Sequence, residues 1–329
     1  MDGIACSTDR RLLDDWQRDF PVTARPFALL GEALGIGEDE VIARLSFMQG
    51  AGRVSRLGAT IAPNTISAST LAAVAAPPNR IEEVAALIGT QPGVNHNYQR
   101  EDFWNLWFVA TGPDRAHVDE TLACIEKATG LRVLDLRLVR PFNVDLGFRM
   151  NGPRQLNPPR PADRSVLLDG DRDLLQILAR GMPLAKRPYA EIGLQLGLGE
   201  AVVIDRINVL QQAGIISRLG VIVRHRALGW SANAMVVWDL PQAQIGTAGP
   251  ALAALDGVTL AYERRPVPGV WPYRLYNMVH ARTRSGAQTV IDAASALPEL
   301  AGARSKVLFS SRCFKQTGAL IARSDGRAA

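Results

Sequence analysis

The chain has 329 residues, 47% hydrophobic and 21% charged, the composition of an ordinary soluble globular protein long enough for two or more domains. No run of about 18 apolar residues occurs, which argues against a helical membrane span. The formal net charge of +5 suits an acidic partner, either a polyanionic small molecule or nucleic acid, without choosing between them.

Chain order begins with MDGIACSTDRR, which lacks a hydrophobic signal core, so a cytoplasmic protein is expected. Cys6, Cys124 and Cys313 are far apart and form no CxxC or Cys/His cluster. Reduced thiols and no metal site are expected.

From Leu12 the sequence is written twice. Residues 12–58 match residues 174–220 at a constant offset of 162, with 22 of 47 positions identical, ending in SRLG both times. GVNHNYQR at 93–100 faces GVTLAYER at 257–264 at offset 164, and NLWFV at 105–109 faces RLYNMV at 274–279. Such self-similarity marks paralogous units. Residues 150–165, with four prolines, read as an extended linker between them.

Each unit has the same grammar, clearest in the second. A helix around 174–179 precedes one that starts at Pro188, where a missing N–H costs little, and that ends at LGLG. A third helix spans about 200–212, with Val203, Ile207 and Leu210 on one face, and Gly214 stops it. IISRLGVIVR then alternates and predicts a wing-like hairpin. Strand, helix, strand, strand, helix and strand follow at about 232–239, 244–255, 258–263, 273–281, 286–297 and 304–314. That is a ferredoxin-like βαββαβ pattern. The predicted class is α+β. The boundaries are winged helix-turn-helix 1–62, ferredoxin-like 63–150, linker 151–165, winged helix-turn-helix 166–228 and ferredoxin-like 229–329.

This architecture resembles the Lrp/AsnC-like proteins, over both copies. HNYQREDFWNLWF at 96–108, WPYRLYNMVH at 271–280 and FKQTG at 314–318 are similar to the siroheme decarboxylases, Lrp-like proteins that no longer regulate. The resemblance implies removal of two acetate carboxyls from siroheme, on the route to d1-type haem or haem. It also implies two subunit types fused in one chain, an internal pseudo-dimer that leaves a further homodimer open. Many relatives carry a histidine shortly after the HNY-R motif, where this chain has Asp102.

A recognition helix binds DNA with cations near its start. Here the third helix of the first unit opens with Glu38, Asp39 and Glu40, and that of the second carries Glu200 and Asp205. Acids there repel phosphate, so DNA is not the expected partner, although the helices alone would fit a regulator with a small-molecule sensor.

Siroheme is a flat iron tetrapyrrole with eight carboxylates. It needs an aromatic or apolar slot and several arginines, whose planar forks bind both carboxylate oxygens. The candidate substrate-binding residues are Asn97, Arg100, Arg224, Tyr262, Arg264, Arg265, Trp271, Tyr273, Arg274 and Lys315. Loss of CO₂ leaves electron density that the macrocycle absorbs, and a general acid protonates the new carbon. His96, His225 and Tyr98 are the candidate catalytic groups: a near-neutral pKa suits the histidines to proton transfer, and the Tyr98 phenol can donate a proton or a hydrogen bond to a carboxylate. His117 reads as solvent-facing and His280 as structural. No nicotinamide, flavin or metal motif occurs, so no cofactor beyond the iron tetrapyrrole substrate is expected. A tetrapyrrole carrier without turnover stays open at this stage.

Overall fold

The structure is a computed structural model that describes residues 6–143 and 160–322. Most of the expected linker, and the expected boundaries at 150 and 329, lie outside the described residues. Among the described residues no helix is long and apolar enough to cross a membrane.

The first helix-turn-helix contains α1 (Ser7–Asp14), α2 (Pro26–Leu34) and α3 (Glu38–Gly50), and the second contains α6 (Asp171–Arg180), α7 (Pro188–Leu196) and α8 (Glu200–Gln212). Pro26 and Pro188 both stand at the first helical turn, and Gly35 and Gly197 end α2 and α7 in the left-handed conformation, as the repeat implies. The two triplets do not have separate cores. Leu12, Phe27, Leu45, Leu174, Tyr189 and Leu210 belong to one buried cluster, each leucine contributing about 2 kcal/mol of transfer free energy.

The expected hairpin wings do not form. Strands β1 (Val54–Ile61) and β7 (Ile216–Val223) each run straight and pair antiparallel with one another across the two copies, with Gly58 opposite Gly220. Alternation identified the strands correctly but could not name their partner. The glycine of SRLG serves packing instead of a turn. A Cβ on Gly58 would strike the Leu178 carbonyl oxygen at the end of α6, and one on Gly220 would strike the Gln17 carbonyl oxygen just beyond α1.

The ferredoxin-like parts follow. The first contains β2 (Ala68–Val74), α4 (Ile81–Thr90), β3 (Val94–Arg100), β4 (Leu106–Gly112), α5 (Arg115–Thr129) and β5 (Val133–Leu136). An unexpected strand, β6 (Leu138–Asn143), comes next. The second contains β8 (Ala232–Asp239), α9 (Ile245–Ala254), β9 (Val258–Arg264), β10 (Leu275–Ala281), α10 (Arg284–Ser295) and β11 (Arg304–Gln316).

Strand order is β5-β2-β4-β3-β11-β8-β10-β9-β6. Each unit lends a strand end to the other. The first half of β11 pairs with β8, and its second half pairs with β3 of the first unit. In return β6 pairs with β9 of the second unit. The two halves of this nine-stranded sheet, joined through β11, enclose a common core of Leu71, Trp107, Met235, Trp271, Tyr276 and Leu308. Helices α4 and α5 cover the outside of one half, and α9 and α10 the outside of the other. The result is a pseudo-twofold sandwich in which every polar residue facing inward must find a partner or a ligand.

Candidate active site

Side chains alternate across a strand. In β3 this puts His96, Tyr98 and Arg100 on the inner face. The His96 and Tyr98 rings lie 6.2 Å apart and nearly parallel, and the Arg100 guanidinium sits 5.9 Å from the Tyr98 ring centre. Asn97 points the other way, is fully buried and donates to the Ala85 carbonyl of α4 at 3.0 Å. The structure therefore does not bring Asn97 together with His96.

Arg100 is buried and donates from Nη1 to the Leu308 carbonyl at 3.0 Å, while its Nε has no hydrogen-bond partner among the described residues. Desolvation draws its pKa down to about 10, so it remains a cation at neutral pH. Burial pushes the Tyr98 phenol up, helped by the Cys313 thiol on the adjacent strand, so the phenol stays protonated. His96 is largely enclosed by protein but keeps some accessible surface. Desolvation first and the charge of Arg56 second lower it to about 4, so it is neutral at pH 7.

The second unit supplies the facing groups. The segment after β7 carries Arg224, His225 and Arg226, and Arg226 reaches the Ser310 carbonyl of β11 at 3.4 Å. The His225 ring stands 5.5 Å from that of His280, the sixth residue of β10. His280 is buried, and both its nitrogens are engaged, with Asn233 Nδ2 at 2.8 Å from Nε2 and Thr259 Oγ1 at 2.7 Å from Nδ1. Thr259 donates its own hydroxyl proton to the Met278 carbonyl, so it accepts from His280 Nδ1–H. His280 is thus a neutral imidazole with an assigned tautomer, held well below the ordinary range by desolvation and then by the nearby His225 and Arg100. Its burial and doubly engaged ring are those of a structural histidine, set beside His225.

His96 thus stands with Tyr98 and Arg100 on β3, and His225 with His280 at the β7 end and β10 of the other unit; the charge of Arg226 reaches Tyr98 and that of Arg100 reaches His280, which joins the two groups. The pseudo-equivalent position has none of these histidines. Leu260 replaces His96, Pro63 replaces His225 and, aligning β4 with β10, Thr111 replaces His280. Tyr262 and Arg264 remain, and Arg264 donates to Leu136 as Arg100 does to Leu308. That second position is filled. Tyr262 stacks on Tyr276 at 5.7 Å, Tyr276 accepts from Trp271 Nε1 at 2.7 Å, and Trp271 packs on Trp107 and Tyr273. The loop at 265–273 folds its tryptophan into the core, so Trp271 and Tyr273 sit in packing at this second position.

The other candidates lie elsewhere. Lys315 caps the end of α4, with its amino group 2.7 Å from the Gly89 carbonyl. Arg274 donates to Gln242 at 3.0 Å, and Arg265 is exposed beyond β9. Asp102 accepts from the Trp104 amide at 3.0 Å and pairs with Lys306 at 2.7 Å, which ties it to its own turn. His117, expected to face solvent, is half-buried over the Gly112 backbone. Arg56 and Arg218, which sequence reasoning passed over as mere parts of the SRLG repeat, stand near the histidine corner: the charge of Arg56 acts on His96, and that of Arg218 on Arg56. Their signal was an arginine kept in both copies of a strand.

The acids of the helix-turn-helix are engaged. Arg25 pairs with Glu38, Arg187 pairs with Glu200, and Lys186 pairs with Asp39. Cations that could meet phosphate are thereby committed to carboxylates.

A family model described as the siroheme decarboxylase NirDL-like HTH domain matches residues 9–54 and 171–216. The AsnC-like ligand binding domain matches residues 66–142 and 227–315. The chain is 55% identical to the siroheme decarboxylase NirDL subunit of Paracoccus denitrificans, over 95% of this chain and 97% of that one. It is 26% identical to the siroheme decarboxylase of Hydrogenobacter thermophilus over 93% of this chain and 92% of that one. A solved structure of the siroheme decarboxylase NirDL in co-complex with an iron-uroporphyrin III analogue superposes with a TM-score of 0.69 at 24% identity, covering 95% of this chain and 94% of that chain, which establishes the shared fold.

Proposed function

Since the chain belongs to the siroheme decarboxylase NirDL family, we propose that it is a carboxy-lyase that removes two acetate carboxyls from siroheme at the histidine corner between its halves. One observation carries this reading above the others: of two pseudo-equivalent positions, one has His96, Tyr98 and Arg100 of β3 coupled through charge to Arg226 and to the His225–His280 pair, and the other is packed with aromatic rings.

The chemistry follows from charge. A buried cation without a carboxylate partner is costly, and a polyanionic ligand relieves that cost. Arg100, Arg226 and Arg224 bind rim carboxylates, and their forks set the angle of the ring. Tyr98, kept protonated, donates a hydrogen bond to a carboxylate oxygen. The C–CO₂ bond of an acetate breaks, its electron pair passes into the conjugated macrocycle, and CO₂ departs. The methylene carbon then takes a proton and becomes a methyl group, so each turnover consumes one proton.

His96 is the donor in this reading, and its lowered pKa imposes an order of events. A neutral imidazole has no spare proton, so the proton must arrive with the substrate. A carboxylate placed beside the ring raises its proton affinity, which couples substrate binding to proton uptake. His225 serves as the second proton carrier or carboxylate contact, and His280 fixes its surroundings. The reaction needs no cofactor beyond the tetrapyrrole itself. Anaerobic incubation with siroheme, followed by mass measurement, tests the reading. Two successive losses of CO₂ are expected, and siroheme bound but unchanged would leave a carrier instead.

A further inference from the structure

We propose that Arg56, on strand β1 after the first helix-turn-helix, is a further substrate-binding residue that holds a siroheme carboxylate beside His96. The inference rests on the decarboxylase reading and extends the site into a module inherited from DNA-binding architecture.

The geometry begins at the end of α6. Gly181 there has φ +126, and a Cβ built on it would lie 3.1 Å from Arg56 Cβ. Only a glycine lets β1 pass this close. The tail after β11 presses on the same helix end, since a Cβ on Gly318 would strike the Ala179 carbonyl oxygen. That tail is fastened to β3 by the Thr317 amide, which donates to the Asn95 carbonyl at 2.8 Å. β1, the end of α6 and β3 thus converge, and the charge of Arg56 reaches His96.

Its electrostatics lack an internal solution. Arg56 forms no ion pair among the described residues, and its buried Nε has no hydrogen-bond partner there. The charge that acts on it is another arginine, Arg218. Desolvation and that like charge lower its pKa to about 10, so it stays cationic at neutral pH. The Arg56 guanidinium, with its buried Nε unpartnered, is unfavourable beside a neutral imidazole without an anion, and the rim of a polycarboxylate supplies one. The repeat gives an internal comparison. Arg218 occupies the same SRLG position in the second copy, but the counterpart of His96 on that side is Leu260. One motif therefore stands in a reactive setting on one side only.

Arg56→Ala and Arg56→Lys in the full chain test the idea, with siroheme affinity read from the shift of its main absorption band. The alanine variant should weaken binding and raise KM by about 10-fold or more, the loss expected for a charge-assisted hydrogen bond, with a smaller change in kcat. The alkaline limb of kcat/KM should move to higher pH, because the cation that opposes protonation of the His96 donor is gone. Lysine should restore part of the affinity and most of the pH profile. Should the alanine variant fail to fold, Arg56→Gln keeps most of the volume and faces the same two outcomes. A folded variant with wild-type KM and alkaline limb overturns the inference. Failure of the decarboxylase reading would look different, since the wild-type enzyme itself would then release no CO₂ from siroheme.

Discussion

Replacing His96 by leucine, the residue at the matching position 260, tests whether the enclosed imidazole is held neutral in the folded chain. Its folded pKa is about 4, against about 6.5 for an ordinary histidine. The folded value is the lower one, so the unfolded chain binds the proton more readily. Stability from this group is complete above pH 6.5 and is lost as pH falls towards 4. Each pH unit inside that window costs up to about 1.36 kcal/mol, so moving from pH 7.5 to pH 5 removes up to about 2 kcal/mol from the wild type. His96→Leu lacks the titrating group and escapes that loss. Urea unfolding of both proteins at the two pH values reads the difference, because every other titration is common to both and cancels. The stability gap should shift by about 2 kcal/mol in favour of the variant at pH 5, while decarboxylation is abolished at either pH. An identical gap at pH 7.5 and pH 5 would refute the neutral, desolvated His96.

Other expectations concern the scaffold and its limits. Gly58→Ala forces a methyl group into the Leu178 carbonyl and should cost about 1–3 kcal/mol, seen as a lower melting temperature; an unchanged melting temperature would contradict the close approach of β1 and α6. Arg274→Ala should leave kcat/KM unchanged, since its guanidinium is spent on Gln242; a clear loss would extend the site to the opposite end of β10.

Much of this was legible in the residues because repetition doubles the signal. The proline starts, the glycine ends and the strand–helix order recur at a fixed offset and lie close to the observed elements. What stayed hidden was pairing between distant strands. An alternating segment announces a strand but not its neighbour, so IISRLGVIVR read as a hairpin although β7 pairs with β1. The same blindness hid the exchange of β6 and the far half of β11. Within the site, HNYQR was readable one level further than composition suggests. Period-two alternation sends His96, Tyr98 and Arg100 inward and Asn97 outward, towards α4. Lys315 and Arg274 earned attention by their place in motifs, yet their amino and guanidinium groups are tied to a helix end and to a neighbouring amide. Arg56 escaped notice because a residue shared by both copies reads as scaffold until its unlike surroundings are seen.

The central claim is that one of two pseudo-equivalent positions works. An anaerobic crystal structure with siroheme tests it most directly. The macrocycle should lie against Tyr98 with its carboxylates on Arg100 and Arg226 and an acetate within hydrogen-bond reach of His96. A macrocycle seated against Tyr262 and Arg264, clear of the three histidines, would contradict it.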